Sequence, residues 1–230
     1  MANLVVNAVQ KLKEFSGALV LKALGPGKFM HEMLSTYLAM EKWTTYDKNK
    51  LEVWTTCDNV PWMNKNKRRP DLVKMSFFKD SNGTLNIDFH LMELKFINAS
   101  IFESERIDAI SQVKAGLDVY KDLFSFKEDK TDADYWKTEL ISYVIKLQDF
   151  TRSHIKLLKE FQDCKATNIQ TNFSGTIDTF VYTSELTNFD FEVEGDVFVE
   201  QITSELKLYL SKTLHFTSIR GNRRKSSSNV

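Results

Sequence analysis

Residues 69–95 read RPDLVKMSFFKDSNGTLNIDFHLMELK, and the fold turns on how this stretch is interpreted. Leu72-Val73-Lys74-Met75-Ser76-Phe77-Phe78 is rich in β-branched and aromatic residues and is predicted to be a strand. Asp80-Ser81-Asn82-Gly83 has the composition of a turn. Leu85-Asn86-Ile87 opens a second strand that runs on through Asp88 to Phe96. The pair makes a hairpin. Side chains alternate along a strand, so Glu93 and Lys95 share one face, and Met92, Leu94 and Phe96 share the other. Unpaired charge is costly on an apolar strand. The two therefore pair with each other or with nearby groups, or they line a cleft where charge is wanted. The hairpin also brings the start of its first strand to the end of its second, so Asp71 is expected close to Glu93.

Two carboxylates and a lysine at one strand end form a defined chemical set. Hard oxygen ligands suit Mg²⁺ or Mn²⁺. Such a metal activates water and offsets charge on a phosphoryl oxygen. A lysine beside it orients the water, assists its deprotonation or neutralises developing negative charge. Pro70-Asp71 followed by Glu93-Leu94-Lys95 resembles the PD-(D/E)xK signature of the restriction-endonuclease-like nucleases. A surface hairpin with an ordinary Glu–Lys pair is the plainer alternative. The resemblance implies an α/β fold with a restriction-endonuclease-like core, a mixed central sheet flanked by helices, and here an α+β C-terminal extension. It implies Asp71 and Glu93 as ligands of Mg²⁺ or Mn²⁺, with the Leu94 carbonyl as a further ligand and Lys95 acting on the attacking water. It also implies an acid from the first core helix, for which Glu32 is the candidate, and a glutamine on the helix after the second strand, for which Gln112 is the candidate. The plainer readings are a solvent-facing helix glutamate and a partly exposed helix glutamine.

Composition bounds the rest. In 230 residues, 42% hydrophobic and 12% aromatic content suffice for a core, and 17 Phe against three Pro and eight Gly point to regular structure. No apolar run is long enough to span a bilayer, and the N-terminus lacks the pattern of a secretory signal. Cys57 and Cys164 lie far apart with no CxxC partner, as expected of reduced thiols in a cytoplasmic protein. Formal net charge is zero, so nucleic-acid contact must come from local patches. One is Lys65, Lys67, Arg68 and Arg69, just before Asp71. The other is Arg220, Arg223, Arg224 and Lys225. Either also reads as a solvated charge run.

Residues 1–126 are expected to form the nuclease-like core. Within them, 3–20 have the spacing of a short amphipathic helix, and Gly25-Pro26-Gly27 breaks the chain without phosphate-loop spacing. Residues 28–43 form a stronger helix and 51–56 a strand. Residues 57–67 form a loop, anchored by Trp62 as a packing residue. Residues 102–124 form a long helix with Ile107, Ile110, Val113, Leu117, Tyr120 and Phe124 as its stripe. A charged boundary at 127–134 begins an extension, 127–216, that is compatible with belonging to the same domain. It is expected to hold one helix over 135–161, strands at 176–182 and 189–194, and a helix over 197–214. His154 in the long helix is read as a structural or exposed histidine rather than a catalytic one. Residues 217–230 form a basic tail expected to be disordered.

The order of helix, strand, aromatic and basic loop, Arg-Pro-Asp-Leu-Val and Met-Glu-Leu-Lys-Phe, over about residues 28–126, resembles the nuclease region attached to HerA/FtsK-type DNA-translocating ATPases. Those occur in bacterial defence, including phosphorothioation-dependent restriction. The chain has no GxxxxGK[ST] loop and is not the motor itself. The expectation is a metal-dependent DNA endonuclease that acts with a partner ATPase or other defence subunit and is compatible with a homo-oligomer. The alternative is a catalytically inactive nucleic-acid-binding or assembly subunit on the same fold.

Overall fold

The hairpin lies in the middle of a mixed sheet. The computed structural model describes residues 29–45, 47–63, 68–97, 102–181, 191–194 and 197–203. The expected helix over 3–20, the basic pair Lys65 and Lys67, and the tail beyond 203 lie outside these residues. In chain order the elements are α1 (Phe29–Trp43), β1 (Lys50–Thr56), β2 (Leu72–Lys79), β3 (Leu85–Ile97), α2 (Phe102–Phe124), α3 (Ala133–Ile145), α4 (Arg152–Asp163), β4 (Ile169–Val181), β5 (Phe191–Glu194) and β6 (Val197–Thr203). The sheet order is β1-β2-β3-β4-β6-β5. β1, β2 and β3 form an antiparallel meander. β4 runs parallel to β3, β6 runs parallel to β4, and β5 closes the edge antiparallel to β6. The fold class is α/β.

The turn between β2 and β3 forms because its residues can bond locally. Asp80 Oδ1 accepts from the backbone N–H of Asn82 and of Thr84, each at 2.9 Å. Gly83 takes a φ of 83°, a conformation that costs glycine least. That turn sets the register, and a slip of one residue would turn every side chain to the other face. In the observed register Leu72 pairs with Met92 and Val73 with Leu91. One face carries Val73, Met75 and Phe77 opposite Leu91, Phe89 and Ile87. The other carries Leu72, Lys74 and Ser76 opposite Met92, His90 and Asp88.

The first face makes the core. Its apolar residues pack in one cluster with Val113, Leu117, Tyr120 and Phe124 of α2, Leu140, Ile141 and Val144 of α3, and Phe161 of α4. The Phe89 ring stacks between Phe124 and Phe173, at centroid distances of 5.2 and 5.4 Å. Each such buried side chain contributes roughly 1.5–3 kcal/mol. Trp62 packs edge-on to Tyr120, Phe124 and Tyr143, which is an anchoring role. Because the cluster draws on both sides of residue 127, and β4 pairs with β3 along its full length, the two halves share one sheet. Cys57 and Cys164 are free thiols.

Several expectations need correction. The single helix over 135–161 is two, α3 and α4, separated by residues 146–151. Thr151 takes extended backbone angles and its side-chain oxygen accepts from the His154 N–H at 3.3 Å, so a new helix starts there. Ile107, expected in the apolar stripe of α2, is exposed, and so is Ile155 on α4. The expected helix over 197–214 begins as strand β6, which pairs on both sides. Val197, Val199, Ile202 and Thr203 are β-branched and suit a strand. Residues 204–214 lie outside the described chain. The strand expected at 176–182 is longer, beginning at Ile169, and that expected at 189–194 is described only from Phe191.

Candidate functional site

Asp71 ends the approach to β2, one residue beyond the Leu72–Met92 pair, so it faces Glu93 across the strands. Two bonds hold it. Its carbonyl oxygen accepts from the Cys57 N–H at 3.0 Å, extending the β1–β2 ladder. Its Oδ2 accepts from the backbone N–H of Leu94, also at 3.0 Å. Asp71 and Glu93 are thereby brought together from 22 positions apart in the chain. Pro70 helps to set the approach. A Cβ on Gly116 of α2 would lie 2.6 Å from Pro70 Cγ and 2.7 Å from Leu91 Cδ2. Only glycine lets α2 come so close to the strand end beside Asp71.

Alternation puts Glu93 and Lys95 on the same face. Lys95 Nζ lies 3.1 Å from Glu93 Oε1 and 3.2 Å from Glu105 Oε2. Glu93 is 4% exposed, and Lys95 supplies a counter-charge to its carboxylate. Burial pulls the Lys95 ammonium toward lower pKa. The charges and hydrogen bonds of Glu93 and Glu105 outweigh it, and the net result lies above the ordinary lysine value. Lys95 is therefore a cation at neutral pH, suited to donating hydrogen bonds and offsetting negative charge, not to accepting a proton.

Gln112 is half-buried on α2. Glu32 lies on α1, but its side chain is outside the described structure. Arg68 and Arg69 flank the site as ion pairs, with Asp108 and Asp58 respectively, each at 2.5 Å. Among the described residues, no three His, Cys, Asp or Glu side chains group closely enough to hold a metal ion. The donor chemistry of the Asp71–Glu93 pair still suits a hard divalent cation, since both are carboxylates on facing strand positions.

Sequence reasoning missed Glu105. It is the fourth residue of α2, where a carboxylate is favoured by the helix N-terminus. A carboxylate one turn into a helix that follows the Glu-x-Lys strand was the available signal, but only docking of α2 reveals the contact.

A second polar network lies on the opposite face of the sheet and was also missed. Asp178 of β4, in register with Leu94, is completely buried. Its Oδ1 accepts from Lys42 Nζ at 2.6 Å and its Oδ2 from Trp43 Nε1 at 2.7 Å, tying the end of α1 to the sheet. The Trp43 and His90 rings lie 4.5 Å apart. His90 bonds Ser174 through Nδ1 at 2.7 Å and Thr176 through Nε2 at 2.9 Å. Lys74 Nζ donates to the Trp43 carbonyl and to Glu52 Oε1. An open cavity of about 780 Å³ lies over this face, lined by Trp43, Glu52, Lys74, Asp88, His90 and Ser174 among others.

No family model, no curated protein and no solved structure matches this chain. No helix among the described residues is long and apolar enough to cross a membrane.

Proposed function

We propose that the chain is a metal-dependent DNA endonuclease with a restriction-endonuclease-like core. The reading rests on one observation above others. Asp71, bonded to the Leu94 N–H at 3.0 Å, and the Glu93–Lys95 pair at 3.1 Å meet at one end of the central hairpin. The topology supports it as well: a helix, an antiparallel meander, a helical crossover and a strand parallel to the third. Asp71 and Glu93 would hold Mg²⁺ or Mn²⁺, with the Leu94 carbonyl and Glu32 as further candidates. The bound ion would supply an activated water and a Lewis acid for the phosphoryl oxygen. Lys95, as an ammonium, would hold the attacking water in line or offset charge on the phosphate. Gln112 would assist from α2. Lys65, Lys67, Arg68 and Arg69 would contact the DNA backbone, which makes affinity fall steeply with salt. A cytoplasmic setting in bacterial defence, with a HerA/FtsK-type ATPase or other subunit as partner, and self-association, belong to the same proposal.

The test is cleavage of plasmid DNA with Mg²⁺ or Mn²⁺ by the parent, Asp71→Ala and Lys95→Ala. The expected result is cleavage by the parent that both variants lack. Equal activity in all three would refute the assignment of the site. A second reading, an assembly subunit on the same fold without chemistry, draws on the pairing of Arg68 and Arg69 with Asp108 and Asp58. It predicts capture of a protein partner with no metal-dependent cleavage.

A further inference from the structure

Lys95 stands between two carboxylates that differ in kind. Glu93 is fixed on the central strand, opposite Asp71, and its side chain is 6% exposed. Glu105 rides on the first turn of α2, and its side chain is 40% exposed. We infer that Glu105 is a positioning residue whose task is to keep Lys95 at the notch while Glu93 engages a divalent cation. This deepens the nuclease reading above and rests on it.

The physical reason is competition. A cation held by Asp71 and Glu93 draws on the same negative charge that holds Lys95 and repels the ammonium directly. Lysine has a flexible four-carbon stem and a strongly hydrated head, so a weakened contact lets it turn toward water. Here 17% of its side chain already reaches solvent. Glu105 supplies a second counter-charge, 3.2 Å from Lys95 Nζ, that the cation does not consume. Glutamine at this position would keep a hydrogen-bond acceptor but lose the charge. Aspartate would keep the charge on a shorter arm.

The experiment uses the full chain, with Glu105→Gln, Glu105→Asp and Asp71→Asn beside the parent, each checked for folding by circular dichroism. Three quantities are read: Mn²⁺ binding by calorimetry, the rate of Lys95 acetylation followed by mass spectrometry with and without Mn²⁺, and kcat and KM for plasmid cleavage. Under saturating Mn²⁺, Lys95 in Glu105→Gln should be acetylated about threefold faster or more than in the parent. Its kcat should fall about tenfold or more with KM little changed, because the lost interaction acts on the reacting state. Glu105→Asp should recover part of both. Equal Lys95 labelling in parent and Glu105→Gln, with Mn²⁺ still lost in Asp71→Asn, would overturn the role of Glu105 and leave the metal site standing. Undiminished Mn²⁺ binding in Asp71→Asn would overturn the metal site and this role together.

Discussion

Removing the Asp178 carboxylate should undock α1 from the sheet. Asp178 is wholly buried, with Lys42 Nζ at 2.6 Å and Trp43 Nε1 at 2.7 Å. Breaking a buried ion pair by deleting one partner costs about 3–5 kcal/mol. The side chain of Lys42 is 12% exposed, so part of its charge can relax toward water, which favours the lower end for Asp178→Asn, about 3 kcal/mol. The asparagine oxygen can still accept from the Trp43 indole. Asp178→Ala loses that acceptor too and should cost about 1–2 kcal/mol more. Adding Lys42→Met to Asp178→Asn removes the charge left behind, so the double variant should be less damaged than the sum of its parts by at least about 1.5 kcal/mol.

Urea unfolding followed by tryptophan fluorescence measures each corner of this cycle. With a slope of about 2–3 kcal/mol per molar urea, a loss of 3 kcal/mol lowers the midpoint by about 1–1.5 M. Hydrogen exchange should show the amides of α1 losing protection before those of β3. If Asp178→Ala moves the midpoint by less than about 0.3 M, or if the two substitutions add within about 0.5 kcal/mol, the pair does not pin α1 and the account of it fails.

Two further expectations concern packing and acid stability. In Gly175→Ala, the new Cβ would lie 2.3 Å from Val113 Cγ1 and 3.2 Å from Leu117 Cδ1. Overpacking costs about 1–3 kcal/mol against a gain of about 0.5–1 from replacing glycine in a strand, so the variant should melt below the parent; a higher melting temperature would sink the packing argument. Asp134 is held below the usual carboxylate range by the Ala166 N–H first and by Lys137. A depressed folded pKa gives stability that is present above the unfolded value of 3.8 and is lost as pH falls through the folded value. The melting-temperature gap between parent and Asp134→Asn should therefore begin to narrow as pH falls toward 3.8 and keep narrowing below it, and a gap that stays constant through and below 3.8 would contradict the assignment.

What could be read from the sequence was what depends on near neighbours. The hairpin needed only alternation and the Asp80–Gly83 turn, and register then followed with the facing of Asp71 and Glu93. The break between α3 and α4 was hidden because Leu147 and Phe150 continue the apolar spacing through it, and a lone Thr151 cap is a weak signal. β6 was mistaken for a helix because Val199 and Ile202 fit three-residue spacing as well as a short apolar strand fits its length. Asp178 is 136 residues from Lys42, and no local pattern joins them. Glu105 is only ten residues beyond Lys95, yet their contact exists because α2 folds back over β3, a tertiary event with no spacing rule.

The energetics of the notch bear on why it exists. Glu93 and Lys95 occupy a face whose other strand positions, Leu91, Phe89 and Ile87, are apolar and fully buried. Leucine or methionine in their place would extend that core, and buried ion pairs are often no better for stability than apolar residues of the same volume. The chain forgoes that stabilisation at the point where α2 approaches closely enough to require Gly116, and where Asp71 is held by Leu94. Charge is thus placed where α2 packs closely against the strand end. A rigid frame around displaced charge is what preorganised catalysis needs, because groups already in place pay little to reorganise when negative charge develops. In the proposed nuclease the burial of Glu93 would serve that preorganisation, whereas the equally buried Asp178 serves to dock α1.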